Sequence, residues 1–173
     1  MDHEMGMDEL KVELDGLDKR HLIGLILEIY RKNKNIQRFL DYYFKPEELK
    51  LFEEYKNRVK EGFFPRRGYD LKLSLARKAI NDFKKYEPSK ELLADLILYY
   101  VEGGVEFTNN YGDISEAFYT SVSETQRSAI DLMGKEGCLE KFKERAVKIV
   151  GDTKGIGWGF HDELLYYYNK YFS

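Results

Sequence analysis

Hydrophobic residues recur every three or four positions along most of the chain, which is the period of amphipathic helices. The segment from Asp18 to Asn33 is apolar nearly all round. A helix of this kind is typical of a buried position, so we expect it at the centre of the fold, with Asp18 as its N-cap. No segment shows the alternation of a half-buried strand. The pattern therefore predicts an all-α protein.

Further helices are predicted along the rest of the chain, and each of the three prolines stands where one helical pattern gives way to the next. Asp113 and Glu116 have the spacing of a capping box, with Asp in place of Ser or Thr. In total we expect about seven or eight helices. The later segments are 36–44, a helix after Pro46, one capped by Asp70, one from Ser89 to about Asn110, one from Asp113 to Gly134 or Gly137, 139–150, and one from His161 to the terminus.

Short connections between helices of similar length predict antiparallel hairpins, and hairpins of similar length stack readily. The stack is either a short irregular α-solenoid, which we favour slightly, or a multi-helix bundle. Residues 8–173 are expected to form a single helical domain, because a chain of this length is the size of one ordinary domain. Residues 1–7 are expected to be a flexible N-terminus.

The composition supports an all-α protein and excludes a transmembrane helix and an intrachain disulfide. Ala, Glu, Lys, Leu and Arg make up 73 of the 173 residues, which favours helix over strand. No apolar run approaches the ~18 residues that span a bilayer, and the first twenty residues lack a secretion signal. The single cysteine, Cys138, allows no intrachain disulfide. We therefore expect a cytoplasmic protein without a membrane partner.

An acidic stripe is predicted on the helix that follows Ser89. At about 100° per residue, Asp95, Tyr99, Glu102, Glu106 and Asn109 fall on one side of it. The two glutamates, at i and i+4, repel each other by roughly 0.2–0.5 kcal/mol when exposed. A cation beside them would be favourable, either a basic side chain or a divalent metal. The simpler interpretation is an acidic face neutralised by Arg and Lys, since no E-x-x-H spacing accompanies the pair.

Basic residues crowd the segment 66–85, where seven Lys and Arg side chains accompany only two Asp. If this segment and the acidic helix form an antiparallel hairpin, Lys72 lies near the two glutamates. Arg66 and Arg67 then lie near Asn109. The alternative is a small-anion site, because arginines in a connection can grip phosphate oxygens. Nucleic-acid binding is disfavoured, since the chain carries a net charge of −3 and no nucleic-acid-binding motif.

A glycine-rich aromatic segment, 153–162, contains the only tryptophan and three glycines at alternate positions. It matches neither G-x-G-x-x-G nor a Walker loop, so it predicts no nucleotide cradle. The simpler interpretation is that the glycines let the backbone pass close to a helix while the rings fill the core. The functional hypothesis is that His161 and Asp162 face Glu102 and Glu106. Together they would form a polar pocket able to hold a metal or supply a general base.

The cysteine and the tyrosines give weaker indications of function than the charged segments do. Cys138 follows a glycine at a predicted helix start, where a thiolate would be stabilised, but a buried inert cysteine is the simpler interpretation. The chain has 14 tyrosines, which suit both helix packing and interfaces. The three consecutive tyrosines at 166–168 cannot all face one core. At least one of them should be exposed or contact another molecule.

Several strings together resemble one family. They are FPRRG at 64–68, ARKAI at 76–80, ADL at 94–96, VEFTN at 105–109, YGD at 111–113 and GIGWGFHD at 155–162. The chain from about Leu22 onward is similar to the bacterial domain-of-unknown-function family numbered 6155. This resemblance implies a helical bacterial protein, and it supplies neither catalytic residues nor a cofactor that could be carried over to this chain.

The sequence favours a protein-interaction or scaffold module that binds another protein or a second copy of itself through exposed tyrosines. No catalytic template is complete, so an enzyme is not favoured. The alternative is a metal- or anion-dependent small-molecule-binding protein or enzyme. Its pocket would contain Glu102, Glu106, His161 and Asp162, with Arg66, Arg67 or Lys72 holding an anionic group.

Overall fold

The computed structural model describes residues 5–67 and 70–172. All regular structure in these residues is helical, which confirms the predicted class. Nine helices are present there, against the predicted seven or eight. The additional helix is short and strongly acidic. It begins at Met7, whereas residues 1–4 of the predicted flexible terminus lie outside the described residues.

Packing divides the chain into two compact units, Met1–Pro46 and Glu47–Ser173. The single domain expected over 8–173 stays a prediction. The helices are α1 (Met7–Asp15), α2 (Lys19–Lys32), α3 (Lys34–Phe44), α4 (Glu48–Phe63), α5 (Leu73–Lys84), α6 (Lys90–Tyr111), α7 (Glu116–Lys135), α8 (Leu139–Asp152) and α9 (Phe160–Phe172).

The first unit contains α1, α2 and α3. The N-cap predicted for α2 is confirmed, since the Asp18 side chain accepts a hydrogen bond of 2.9 Å from the His21 backbone N–H. Helices α2 and α3 contact each other, and the Tyr30 hydroxyl donates to Asp41 across them. The central position expected for α2 is wrong, because none of its residues is buried. Periodicity shows how wide the apolar arc of a helix is, but it does not show what covers that arc.

The second unit is built from three antiparallel hairpins, α4–α5, α6–α7 and α8–α9. In the first hairpin, Gly62 at the end of α4 lies against Ala76 near the start of α5. At the other end of the hairpin, the Phe52 and Phe83 rings lie 6.3 Å apart. The predicted stacked hairpins are therefore present in this unit.

The hairpins stack in chain order, as they do in an α-solenoid. Their first helices, α4, α6 and α8, run parallel and side by side, with the Phe63 and Tyr100 rings 5.0 Å apart between α4 and α6. Helices α7 and α9 also run parallel, and the Tyr119 and Phe160 rings lie 4.8 Å apart between them. The central helix of this unit is α6, which contacts α4, α5, α7 and α8.

Two predicted caps are corrected. Ser115, not Asp113, caps α7, and its hydroxyl accepts from the Phe118 backbone N–H. The Asp113 carboxylate instead accepts from the Tyr119 hydroxyl and the Trp158 indole N–H. These two bonds lower the pKa of Asp113. Similarly, α5 begins at Leu73 with Lys72 at its N-cap position, so Asp70 does not cap it.

Ser115→Ala is expected to lower the free energy of unfolding by about 1 kcal/mol, because it leaves the Phe118 N–H at the helix start without its side-chain acceptor. A urea titration followed by circular dichroism measures the change. The matched control is Ser128→Ala in the middle of α7, where the hydroxyl is exposed and bonds only to a local carbonyl. Its effect should stay within about 0.5 kcal/mol. Equal effects for the two variants would contradict the assignment of Ser115 as the cap.

Candidate functional site

The acidic stripe predicted on α6 is neutralised by one arginine from α8. Both oxygens of Glu102 accept from Arg145, at 2.7 Å from Nε and 2.9 Å from Nη2. The third donor, Nη1, lies 2.7 Å from Oδ1 of Asp95. All three side chains are roughly one-third exposed or less, at 32%, 31% and 26%. The interpretation of a neutralised acidic face is thus supported for these two carboxylates, but the cation is Arg145 and not Lys72.

This cluster is a fixed part of the structure. Burial by itself lowers the pKa of the Arg145 guanidinium, but the hydrogen bonds to Glu102 and Asp95 outweigh burial and raise the pKa above its ordinary value. Arg145 therefore stays charged and joins α6 to α8. Bidentate pairing of a planar guanidinium with a carboxylate also fixes the direction of both side chains.

A polar cleft of about 430 Å³ lies on the side of the second unit formed by α4, α6 and α8. Apolar residues near the end of α4 and along α6 provide part of the wall. Polar and charged residues of both signs provide the rest. The polar and charged residues that line it are Lys60, Tyr99, Glu102, Glu106, Asn109, Asn110, Arg145, Lys148 and Asp152.

Several groups in the polar cleft are held in place by each other. Lys148 pairs with Asp152 at 2.9 Å, and the Asn109 side-chain amide donates to the Asp152 carbonyl at 3.0 Å. Within the described part of the chain, Glu106 and Lys60 form no ion pair, so one anion and one cation are available to a ligand.

The Tyr99 phenol in this cleft is a hydrogen-bond donor. Burial raises its pKa, and the nearby charges of Glu106 and Glu102 raise it further. The ammonium of Lys56 lies 5.0 Å from the centre of its ring. The phenol therefore stays protonated at neutral pH, and the cleft offers hydrogen bonds and charges of both signs.

The structure brings Glu102 and Glu106 together in the polar cleft, but His161 and Asp162 do not line it. The Nδ1 atom of His161 lies 2.9 Å from the Thr153 hydroxyl, and Asp162 is exposed in the first turn of α9. The glycine-rich segment therefore folds back on the end of α8.

The three basic residues predicted for the site also lie outside the lining of the polar cleft. Arg66 pairs with Glu61 at 3.0 Å, and Arg67 is exposed in the same connection. Lys72 donates its backbone N–H to the Gly62 carbonyl. Among the described residues, no three His, Cys, Asp or Glu side chains are grouped so that they could hold a metal ion.

The structure of the glycine-rich segment agrees only in part with the prediction that its rings fill the core. Phe160 is buried, but Trp158 is exposed and has a φ of 62°, a conformation that bulky side chains rarely adopt. Gly155 and Gly159 also have positive φ, and a Cβ added at either position would meet nothing within 4 Å. These two glycines are therefore explained by backbone conformation and not by the close approach of a helix.

The interpretations of Cys138 and of the consecutive tyrosines agree with the structure. Cys138 is buried, and this burial raises the pKa of its thiol, so it is an inert cysteine. Of the three consecutive tyrosines, Tyr166 is 62% exposed, whereas Tyr167 and Tyr168 are half-buried.

Arg145 is the residue that the sequence analysis missed. On the α8 helix it lies at the edge of the apolar stripe formed by Phe142, Ala146 and Ile149. A charged residue beside an apolar stripe is seldom buried unless it is paired. That position was the available signal, but it does not reveal which carboxylates form the pair.

Within residues 5–67 and 70–172, no helix combines the length and hydropathy needed to cross a bilayer. No curated protein and no solved structure matches the chain. The model of one family of unknown function matches residues 5–171, nearly the whole length. The chain therefore belongs to the DUF6155 family.

Proposed function

We propose that this protein is a protein-interaction module that binds an extended segment of another polypeptide in the polar cleft. The observation that carries this proposal is the parallel arrangement of α4, α6 and α8, whose side chains line one open cleft. Stacked helical hairpins use such surfaces to bind partners, because each hairpin adds side chains to the same face.

The chemistry of the polar cleft suits a polypeptide. A peptide backbone presents donors and acceptors, and the exposed amide of Asn110 can meet both. Glu106 and Lys60 are available to charged side chains of either sign. Because Arg145 is already held by Glu102 and Asp95, little of its side-chain freedom is lost on binding.

The proposal includes a cytoplasmic location. The one cysteine, Cys138, is free and buried, which suits a reducing compartment. A cytoplasmic interaction module needs neither a cofactor nor a metal, and a bound polypeptide accounts for the polar cleft without catalysis.

A displayed library of random 15-residue peptides tests the proposal. Peptides selected on the wild type should bind Glu106→Lys about tenfold more weakly or worse, since the substitution reverses an exposed charge in the cleft. Isothermal titration calorimetry measures the dissociation constants. The matched control is Glu144→Lys, an exposed position on α8 outside the cleft, which should leave affinity unchanged. Equal affinities for the wild type and Glu106→Lys would refute the cleft as the binding surface.

A thermal-unfolding screen distinguishes this proposal from a small-ligand site. Metal-stripped wild type and Glu106→Ala are compared with Mg²⁺, Mn²⁺, Zn²⁺, Ca²⁺ and inorganic phosphate. A ligand at about a hundred times its dissociation constant stabilises the native state by roughly 2.7 kcal/mol, which is readily seen. We expect no shift in either protein. A midpoint raised in the wild type alone would overturn the proposal in favour of a metal or anion site.

A further inference from the structure

The first unit has no core of its own among the described residues. None of the residues of α1, α2 or α3 is buried. On α2, five large aliphatic residues are between 37% and 49% exposed, namely Ile23, Leu25, Ile26, Leu27 and Ile29. Helices this short are marginal in water unless tertiary packing stabilises an apolar face. The apolar face of this unit therefore needs a covering surface.

The exposed apolar area of α2 is a substantial share of one side of a protein interface. Its five aliphatic residues spread over about 200° of the helix and leave on the order of 400 Å² exposed, while one partner in a standard interface contributes about 800 Å². Monomeric proteins rarely expose more than a few hundred Å² of contiguous apolar surface.

The net charges of α1 and α2 indicate which surface could cover the apolar residues of α2. Helix α2 has four basic residues and one acidic residue, a net charge of +3 with histidine neutral. Helix α1 has four acidic residues and one basic residue, a net charge of −3. It also carries exposed apolar residues on one side, Met7 and Leu10. An acidic helix with apolar residues is the chemical complement of α2, and the chain itself contains one.

Within one chain, α1 does not cover α2. Helix α1 forms no extensive contact with α2 or α3, although only Gly16, Leu17 and Asp18 separate α1 from α2. In a symmetric pair of chains, both contacts form at once, because the surface that one copy offers is the surface that the other needs.

We propose that the first unit is a dimerisation element, in which α1 of each copy lies on the basic, apolar α2 of a second copy. This interface is independent of the polar cleft. It covers the apolar residues of two α2 helices and pairs their charges with those of two α1 helices.

Light scattering during size-exclusion chromatography of the full chain tests the dimer. At about 50 µM the wild type should have twice the monomer mass, since interfaces of this size reach micromolar affinity or better. Ile26→Glu places a charge on the apolar face and should weaken association by about tenfold or more. The matched control is Val147→Glu on α8, because Val147 and Ile26 are both 49% exposed. The control should stay dimeric, and circular dichroism confirms that both variants are folded.

Charge reversal tests whether α1 acts between copies. The α1 variant carries Glu9→Lys and Glu13→Lys, and the α2 variant carries Arg31→Glu and Lys32→Glu. Each alone should dimerise more weakly than the wild type, because both reciprocal contacts now join like charges. An equimolar mixture should recover wild-type association, since a mixed pair restores opposite charges at both contacts. No recovery in the mixture would overturn the exchange of α1 between copies.

Other outcomes overturn the dimer itself. A wild type that is monomeric at about 50 µM contradicts it, as does a dimer that Ile26→Glu leaves intact. A monomer that co-sediments with vesicles of phosphatidylserine and phosphatidylcholine, but not with phosphatidylcholine alone, would show that an anionic lipid surface covers α2 instead.

Discussion

Gly62→Ala is expected to lower the free energy of unfolding of the second unit by about 3 kcal/mol, although it adds a single methyl group. Gly62 is buried near the end of α4, where an added Cβ would lie 2.6 Å from the Ala76 Cβ and 2.9 Å from its backbone nitrogen. Neither atom is the far end of a flexible side chain, so α4 and α5 must move apart. Urea unfolding followed by circular dichroism measures the loss.

The matched control is Gly151→Ala in α8, where an added Cβ meets nothing within 4 Å. Alanine has the higher helix propensity, so this control should keep or raise stability, by up to about 1 kcal/mol. If Gly62→Ala were as stable as Gly151→Ala, the close contact of α4 and α5 at Ala76 would be wrong. Phe63, the residue after Gly62, lines the polar cleft, so a shift of α4 would also change the wall of the cleft.

The sequence predicted the local features of this fold well. The helical period located α2 to α9, and Asp18 was identified as a cap because its side chain needs only the start of its own helix. The stripe on α6 was predicted because a helix fixes the relative directions of its own side chains. The prediction of Asp113 as the cap of α7 was wrong, since serine caps as well as aspartate does and Ser115 lies only two positions further along the chain.

Features that depend on distant residues could not be predicted in this way. Arg145 lies 43 and 50 residues from the carboxylates that it binds, and no local rule selects that pair over Lys72. The contact of Gly62 with Ala76 depends on how closely two helices approach. The placement of α2 failed for the same reason, because an apolar arc can be covered by its own chain or by another molecule.

Arg145→Met is expected to lower the free energy of unfolding by about 2–3 kcal/mol. The methionine keeps most of the apolar stem but removes the cation, which leaves Asp95 and Glu102 partly buried without a counter-charge. Removing one member of a buried charge cluster destabilises a protein by more than the intact cluster stabilises it. The remaining charges have then lost both their hydration and their counter-charge. Arg145→Lys should also lose stability, since a lysine cannot bond both oxygens of Glu102 and reach Asp95 at once.

Two further variants separate this effect from ordinary surface charge. Lys148→Met, one turn along α8, breaks only the exposed pair with Asp152 and should change stability by less than about 0.5 kcal/mol. Adding Glu102→Gln to Arg145→Met removes one of the two unpaired charges and should recover about 1 kcal/mol. Urea titrations of the wild type and the four variants measure these differences. If the double variant were less stable than Arg145→Met, Glu102 would stabilise the fold through contacts other than Arg145, and the charge cluster would not be what joins α6 to α8.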